Sequence, residues 1–208
     1  ADIVEFVRYI GSGFKELATN RSIKFSIESE CPGMNIWFDD TKMQRILNNI
    51  YSNAFKFTPD GGLISTIVAT EKKDEKIFVR IEISDTGCGI SEKDLNVIFD
   101  RFYQSEPIPG VTGSGIGLHM VKEYVSLHNG KIEVHSKIGV GTTFLIYIPS
   151  DLKGDDSESK IPAMSPDVEE KVVYSDRKTI LIVEDNVEFR RFLVEQLIGQ
   201  FNILEAAD

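Results

Sequence analysis

Asn48-Asn-Ile-Tyr-Ser-Asn-Ala-Phe-Lys-Phe-Thr58 ends a helical pattern that begins at Thr41. At about 100° per residue, Met43, Leu47, Ile50 and Ala54 fall on one side of that helix, while Asn49, Asn53 and Lys56 lie within about 60° of one another on another. Asparagine inside a helix costs roughly a few tenths of a kcal/mol relative to alanine, so packing gives no reason for two of them to align with a lysine. Amide oxygens can ligate Mg²⁺ and a lysine can meet phosphate oxygens; a solvated polar face is the competing reading. Thr58-Pro-Asp-Gly-Gly62 then stops the helix with turn formers.

Upstream, Ile3, Phe6, Val7, Ile10, Phe14 and Leu17 recur at helical spacing, and Ile23 to Ile27 alternates as a strand does. Downstream, Leu63 to Thr70 and Lys76 to Ser84 alternate on either side of the charged turn Glu71-Lys-Lys-Asp-Glu75, the pattern of an antiparallel hairpin. A short helix is expected over Glu92 to Phe99 and a longer one over Ile116 to His128, closed by Asn129-Gly130. Lys131 to Ser136 and Thr142 to Ile148 read as a second hairpin.

Three glycine-rich segments sit between these elements. In Asp85-Thr-Gly-Cys-Gly89 a carboxylate stands where a strand breaks; it can accept an adenine amine, or the segment is an ordinary turn. Gly113-Ser-Gly-Ile-Gly-Leu118 precedes an apolar helix, so backbone N–H groups and a helix N-terminus can face polyphosphate. Residues 103 to 112, which include Pro107, Pro109 and Gly110, have few anchors and are expected to be mobile, either as a lid or as a surface loop. Gly139-Val-Gly-Thr142 forms the third segment.

In this order and context the segments resemble the catalytic, ATP-binding domain of bacterial sensor histidine kinases, within a superfamily that includes gyrase, mismatch-repair ATPases and a heat-shock chaperone. The resemblance covers residues 1 to 149 and includes Phe99-Asp-Arg-Phe102 as a phenylalanine box. It implies an α/β two-layer sandwich, a mixed, mostly antiparallel sheet with helices on one face, holding ATP and Mg²⁺. It makes Asn49 and Asn53 the ligands of Mg²⁺ and phosphate, Lys56 a phosphate contact and Phe57 the aromatic beside adenine. Asp85 becomes the adenine reader, with Gly87, Gly89 and Ile90 under the base and Thr142 in the water network beside it. Gly113, Gly115, Gly117 and Leu118 become the phosphate loop, and Arg101 a further phosphate contact. Phe99 and Phe102 read as rings that anchor helix or lid to the core. Relatives that hydrolyse ATP carry a glutamate where Asn49 stands, and an amide cannot serve as that general base.

The family's acceptor histidine lies on a helical dimerisation hairpin and is followed by an acidic residue. His119, His128 and His135 precede Met120, Asn129 and Ser136, so none matches it, and the chain reads as an excised fragment. Residues 151 to 177 have the aperiodic Asp/Glu/Ser/Pro composition of a linker. Residues 178 to 208 resemble the truncated start of a response-regulator receiver domain, an incomplete β-α-β fragment with Glu184 and Asp185 as its metal-binding acid pair. The implied parent is a homodimeric hybrid kinase that passes phosphate from ATP to histidine and on to a receiver aspartate. A nucleotide-holding module without transfer and a gyrase- or chaperone-type ATPase are the alternatives.

Composition narrows the field further. With 41% hydrophobic and 27% charged residues the 208-residue chain is of globular type. Its net charge of -10 provides no basic footprint for nucleic acid. No apolar run reaches the roughly 18 residues of a membrane span, and the resemblance to sensor kinases implies that the chain is a cytoplasmic portion of a membrane-anchored sensor. Two cysteines, Cys31 and Cys88, make no disulfide framework.

Overall fold

Alternation along two long strands, and a nearly continuous buried run in a third, build the domain's centre. In β2 (Leu63–Lys73) and β3 (Lys76–Asp85), Ile64, Thr66 and Val68 and then Val79, Ile81 and Ile83 point one way and are buried. Phe144, Ile146 and Ile148 do the same in β5 (Gly141–Pro149). With β1 (Lys24–Ser29) and β4 (Lys131–Lys137) they form a five-stranded sheet in the order β1-β2-β3-β5-β4. Only the β1–β2 pair is parallel, so the sheet is mixed and mostly antiparallel, as expected. The computed structural model describes residues 1–73, 76–103, 115–151, 178–183, 190, 193–194, 197 and 201–206.

The helices α1 (Ile3–Ser12), α2 (Lys15–Asn20), α3 (Asp40–Phe57) and α5 (Gly117–Leu127) cover the apolar face of the sheet, and α4 (Glu92–Leu95) is a single turn near β4. Met43, Ile46, Leu47, Ile50, Tyr51 and Phe55 of α3 are almost wholly buried, which places its remaining side toward the site. An aromatic cluster fixes α3 against its neighbours: Phe14 stacks on Phe55 at 5.4 Å, and Phe25 meets Tyr51 edge-on at 5.6 Å. The Tyr51 hydroxyl shares a 2.9 Å hydrogen bond with Thr66, and burial pushes its pKa up to about 12.

Two expectations about helices need correction. The stripe from Ile3 to Leu17 is not one helix. It breaks after Ser12 within Gly11-Ser-Gly13, whose residues favour the helix weakly, and Ala18 rather than Leu17 takes the buried position. The helix expected over Glu92 to Phe99 ends at Leu95, and residues 96–99 continue as turn with Asn96 bonding back to the Glu92 carbonyl.

The chain divides into two units, Ala1–Asp156 and Ser157–Asp208. In the second, β6 (Thr179–Val183) pairs in parallel with β7 (Asn202–Ala206), and the described residues between them, Arg190, Leu193, Val194 and Leu197, are helical. The expected linker lies almost wholly outside the described residues. No helix among the described residues is long and apolar enough to cross a membrane.

Candidate functional site

The site is organised on α3, and both ends of that helix are fastened by side chains distant in sequence. At its N-terminus Asp39 caps the helix, accepting the Lys42 N–H at 2.9 Å, while its own N–H donates to Nε2 of His128 at 3.0 Å. His128 Nδ1 lies 2.7 Å from the Tyr124 carbonyl, so the ring is the Nδ1–H tautomer with both nitrogens engaged. Burial raises the Asp39 carboxyl, but the Lys42 ammonium and N–H outweigh it and hold the group below its ordinary range. At the C-terminus Arg21 donates to the Phe55 carbonyl, to Thr58 O at 2.8 Å and to Asp60 at 2.8 Å. These bonds satisfy carbonyls that the helix end leaves open.

Between those ends the polar face stands as the period requires, with Asn49, Asn53 and Lys56 all half-buried. Asn49 donates its amide to the Arg45 carbonyl at 2.8 Å, which fixes the side-chain plane. Its oxygen abuts the start of α5 so closely that a Cβ on Gly117 would lie 2.5 Å away. Lys56 Nζ sits 5.2 Å above the Phe57 ring.

The second wall comes from the strand ends. Asp85, opposite Thr142 across the β3–β5 ladder, accepts the Gly87 N–H at 2.7 Å, and the Thr142 N–H also bonds its carboxylate. Burial dominates and holds this carboxyl above its usual range despite those bonds. The chain then turns under the helix: Cys88 N–H donates to the Phe57 carbonyl at 3.3 Å and Gly139 N–H to Cys88 O at 2.8 Å. Gly89 takes a φ of 74° and lies against the Lys137 carbonyl, a place closed to any side chain.

Ser136, which the sequence reading did not single out, knits this corner. Its hydroxyl accepts the Ile90 N–H at 2.8 Å, donates to Gly141 O at 2.9 Å and lies 2.9 Å from Thr142 Oγ1. The available signal was a hydroxyl on the inward side of a strand after Ile132 and Val134.

At the third side the phenylalanine box meets the start of α5. The Phe102 N–H donates to Gly115 O at 3.0 Å, and Arg101 Nε–H to His119 Nε2 at 2.8 Å. Phe102 does not anchor the core: its φ of 60° turns the ring outward, leaving it 69% exposed. Phe99 is half-buried with Lys122 Nζ 6.0 Å from its centroid. Ile116 caps α5, and Leu118 lies in its first turn. Gly113, Glu184, Asp185 and the expected mobile segment lie outside the described residues, apart from Tyr103, which bonds Asp94 at 2.6 Å. Among the described residues no group of three or more His, Cys, Asp or Glu side chains could hold a metal.

A polar helix face, a half-buried strand-end carboxylate and a glycine-led helix, all on one side of a mixed sheet, define an ATP-binding domain. The chain belongs to the histidine kinase-, DNA gyrase B-, and HSP90-like ATPase family, whose description matches residues 38–152. It is 34% identical over 99% of its length to histidine kinase P4 of Formosa agariphila and 34% identical over its whole length to the sensor histidine kinase TmoS of Ectopseudomonas mendocina. It spans 16% and 23% of those two proteins. A mycobacterial sensor histidine kinase, MprB, superposes with a TM-score of 0.59 at 27% identity, covering 72% of this chain and 96% of that one. The expected fold and family both stand.

Proposed function

We propose that residues 1–150 are the catalytic domain of a hybrid sensor histidine kinase, which passes the γ-phosphate of ATP to a histidine on a dimerisation hairpin of its parent. The observation that carries this reading is the convergence of Asn49, Gly117 and Asp85: the Asn49 oxygen meets the first residue of α5, and α3, which carries Asn49, ends at Phe57 beside the Asp85 turn. Asp85 reads the adenine amine, with Gly87, Gly89 and Ile90 under the base, Phe57 beside it and Thr142 in contact through water. Gly113, Gly115, Gly117 and Leu118 offer N–H groups to the phosphates. Lys56 and Arg101 balance their charge.

The residues present suit Mg-ATP. A side chain at position 117 would collide with Asn49, and a carboxyl raised by burial is relieved by a donor such as an exocyclic amine. Asn49 and Asn53 are the amides that would hold Mg²⁺, whose contribution when bound is to neutralise phosphate oxygens. The Asn49 amide cannot take a proton from water, which favours transfer to a protein acceptor over hydrolysis. The chain's own contribution is positioning and charge balance.

None of its histidines is placed as an acceptor. His119 and His128 engage both ring nitrogens, and His135 lies on the sheet face opposite the helices. The 208-residue chain should therefore bind Mg-ATP without labelling itself. Residues 178–208 fit the start of a receiver domain, with Glu184 and Asp185 as its acid pair; the parallel β6–β7 pair with helical residues between supports this. The partners are then the parent's histidine hairpin and a receiver, in a homodimeric, membrane-anchored parent whose cytoplasmic part includes this chain.

Adding the parent's hairpin to this chain with γ-labelled Mg-ATP tests the proposal. Acid-labile label on the hairpin histidine is the expected result. ATP binding without label would reduce the domain to a nucleotide holder, and steady phosphate release would move it to the hydrolysing branch.

A further inference from the structure

His119 is the third residue of α5, and its ring faces the phenylalanine box rather than solvent alone. Nε2 accepts the Arg101 Nε–H at 2.8 Å, and Nδ1 lies 3.0 Å from the Phe99 carbonyl. An acceptor at Nε2 requires a lone pair there, so the proton sits on Nδ1 and donates to Phe99 O. One neutral imidazole thus joins the helix that starts at the glycine loop to two positions of the box. The bond engages the guanidinium at Nε, so His119 contributes to the direction in which Arg101 presents its charge.

From this geometry we infer that His119 is a positioning residue, which aims Arg101 at the terminal phosphates of bound ATP. The inference rests on the proposed phosphate role of Arg101 and adds the device that orients it. Arginine carries rotamer freedom that a phosphate contact would otherwise have to restrict on binding, and His119 restricts it in advance. The first turn of α5 therefore acts on the phosphates twice, through its backbone N–H groups and through a side chain that holds a cation on the facing loop.

Two substitutions divide the ring's functions. His119→Gln supplies a carbonyl oxygen near the place of Nε2 and can still accept from Arg101. His119→Asn supplies an amide near Nδ1, keeping the Phe99 contact while losing the one to Arg101. Calorimetry with the full chain, Mg²⁺ and either ATP or adenosine reads the result, with thermal melting as the check on folding.

Arg101→Ala should weaken ATP about tenfold, the scale of one charge-assisted bond. His119→Asn should weaken it about three- to tenfold, His119→Gln should restore most of the affinity, and none should alter adenosine binding. In the Arg101→Ala background His119→Asn should have no further effect. An unchanged ATP affinity in Arg101→Ala would overturn the underlying assignment of that arginine. A loss in Arg101→Ala without one in folded His119→Asn would overturn the positioning role alone. Additive losses, or equal losses for adenosine, would make His119 a residue of the fold.

Discussion

Replacing Asp85 with asparagine removes one charge at the end of β3 and nearly preserves the side chain's shape. The amide oxygen can still accept the Gly87 N–H that Asp85 takes at 2.7 Å, so the turn under the site survives. What is lost is the charge-assisted bond to the exocyclic amine, replaced by one amino group against another. Such a bond is worth about 1.5 to 3 kcal/mol, and at about 1.4 kcal/mol per decade the affinity for ADP should fall roughly ten- to a hundredfold. Stability should move the other way. Burial holds the Asp85 carboxyl above its ordinary range, only partly offset by the N–H groups of Gly87 and Thr142. A carboxyl raised in the folded state contributes its stability in full below its unfolded value and loses it as pH rises through the folded value. Where it is ionised the group therefore works against the ligand-free fold, and the amide removes that opposition. The ligand-free variant should melt no lower than the wild type while calorimetry with ADP shows the loss. Unchanged ADP affinity in a folded variant would refute the adenine assignment, and a lowered melting point with weakened binding would place Asp85 in the scaffold instead.

Asn53→Ala should weaken Mg-ATP while leaving adenosine binding nearly unchanged; calorimetry that finds equal losses would make Asn53 a fold residue. Gly117→Ala should displace the Asn49 side chain, because its Cβ would lie 2.5 Å from the asparagine oxygen, and nucleotide-induced stabilisation in a melting assay should then disappear in a folded protein. Arg21→Ala leaves the carbonyls of Phe55 and Thr58 without their donor and should cost about 1 to 3 kcal/mol by chemical denaturation, an estimate that a loss under about half a kcal/mol would contradict. Incubating the chain alone with radiolabelled Mg-ATP should leave His119, His128 and His135 unlabelled, and stoichiometric label on any of them would overturn the reading of the acceptor.

The features legible from sequence are those that a period encodes. Asn49, Asn53 and Lys56 align because a helix repeats every 3.6 residues, and the inward sides of β2 and β3 follow from alternation. The Asp85 turn was legible as a motif, though its place opposite Thr142 depends on strand register. Bonds from side chains to distant backbone were not legible: His128 accepts from Asp39 across 89 residues and Arg21 reaches Thr58 across 37, and no spacing rule links such positions. The helix expected through Leu17 failed for the complementary reason. Apolar spacing continued through Gly11-Ser-Gly13, where the backbone preference of the intervening residues ended the first helix.

Because α3 is held at Asp39 by His128 and at Phe55 and Thr58 by Arg21, it cannot slide along its axis or turn about it to absorb a change in length. Asn49 and Asn53 stand one turn apart, about 6 Å along the axis, and adding or removing a single residue between them would swing everything beyond it by about 100°. Lys56, Phe57 and the carbonyls that Arg21 grips would all leave register together. Substitution can therefore tune this helix one side chain at a time, whereas an insertion or deletion within it destroys the whole array in one step. Any descendant of this domain that still reads phosphates from α3 must have kept its residue count between Asp39 and Thr58.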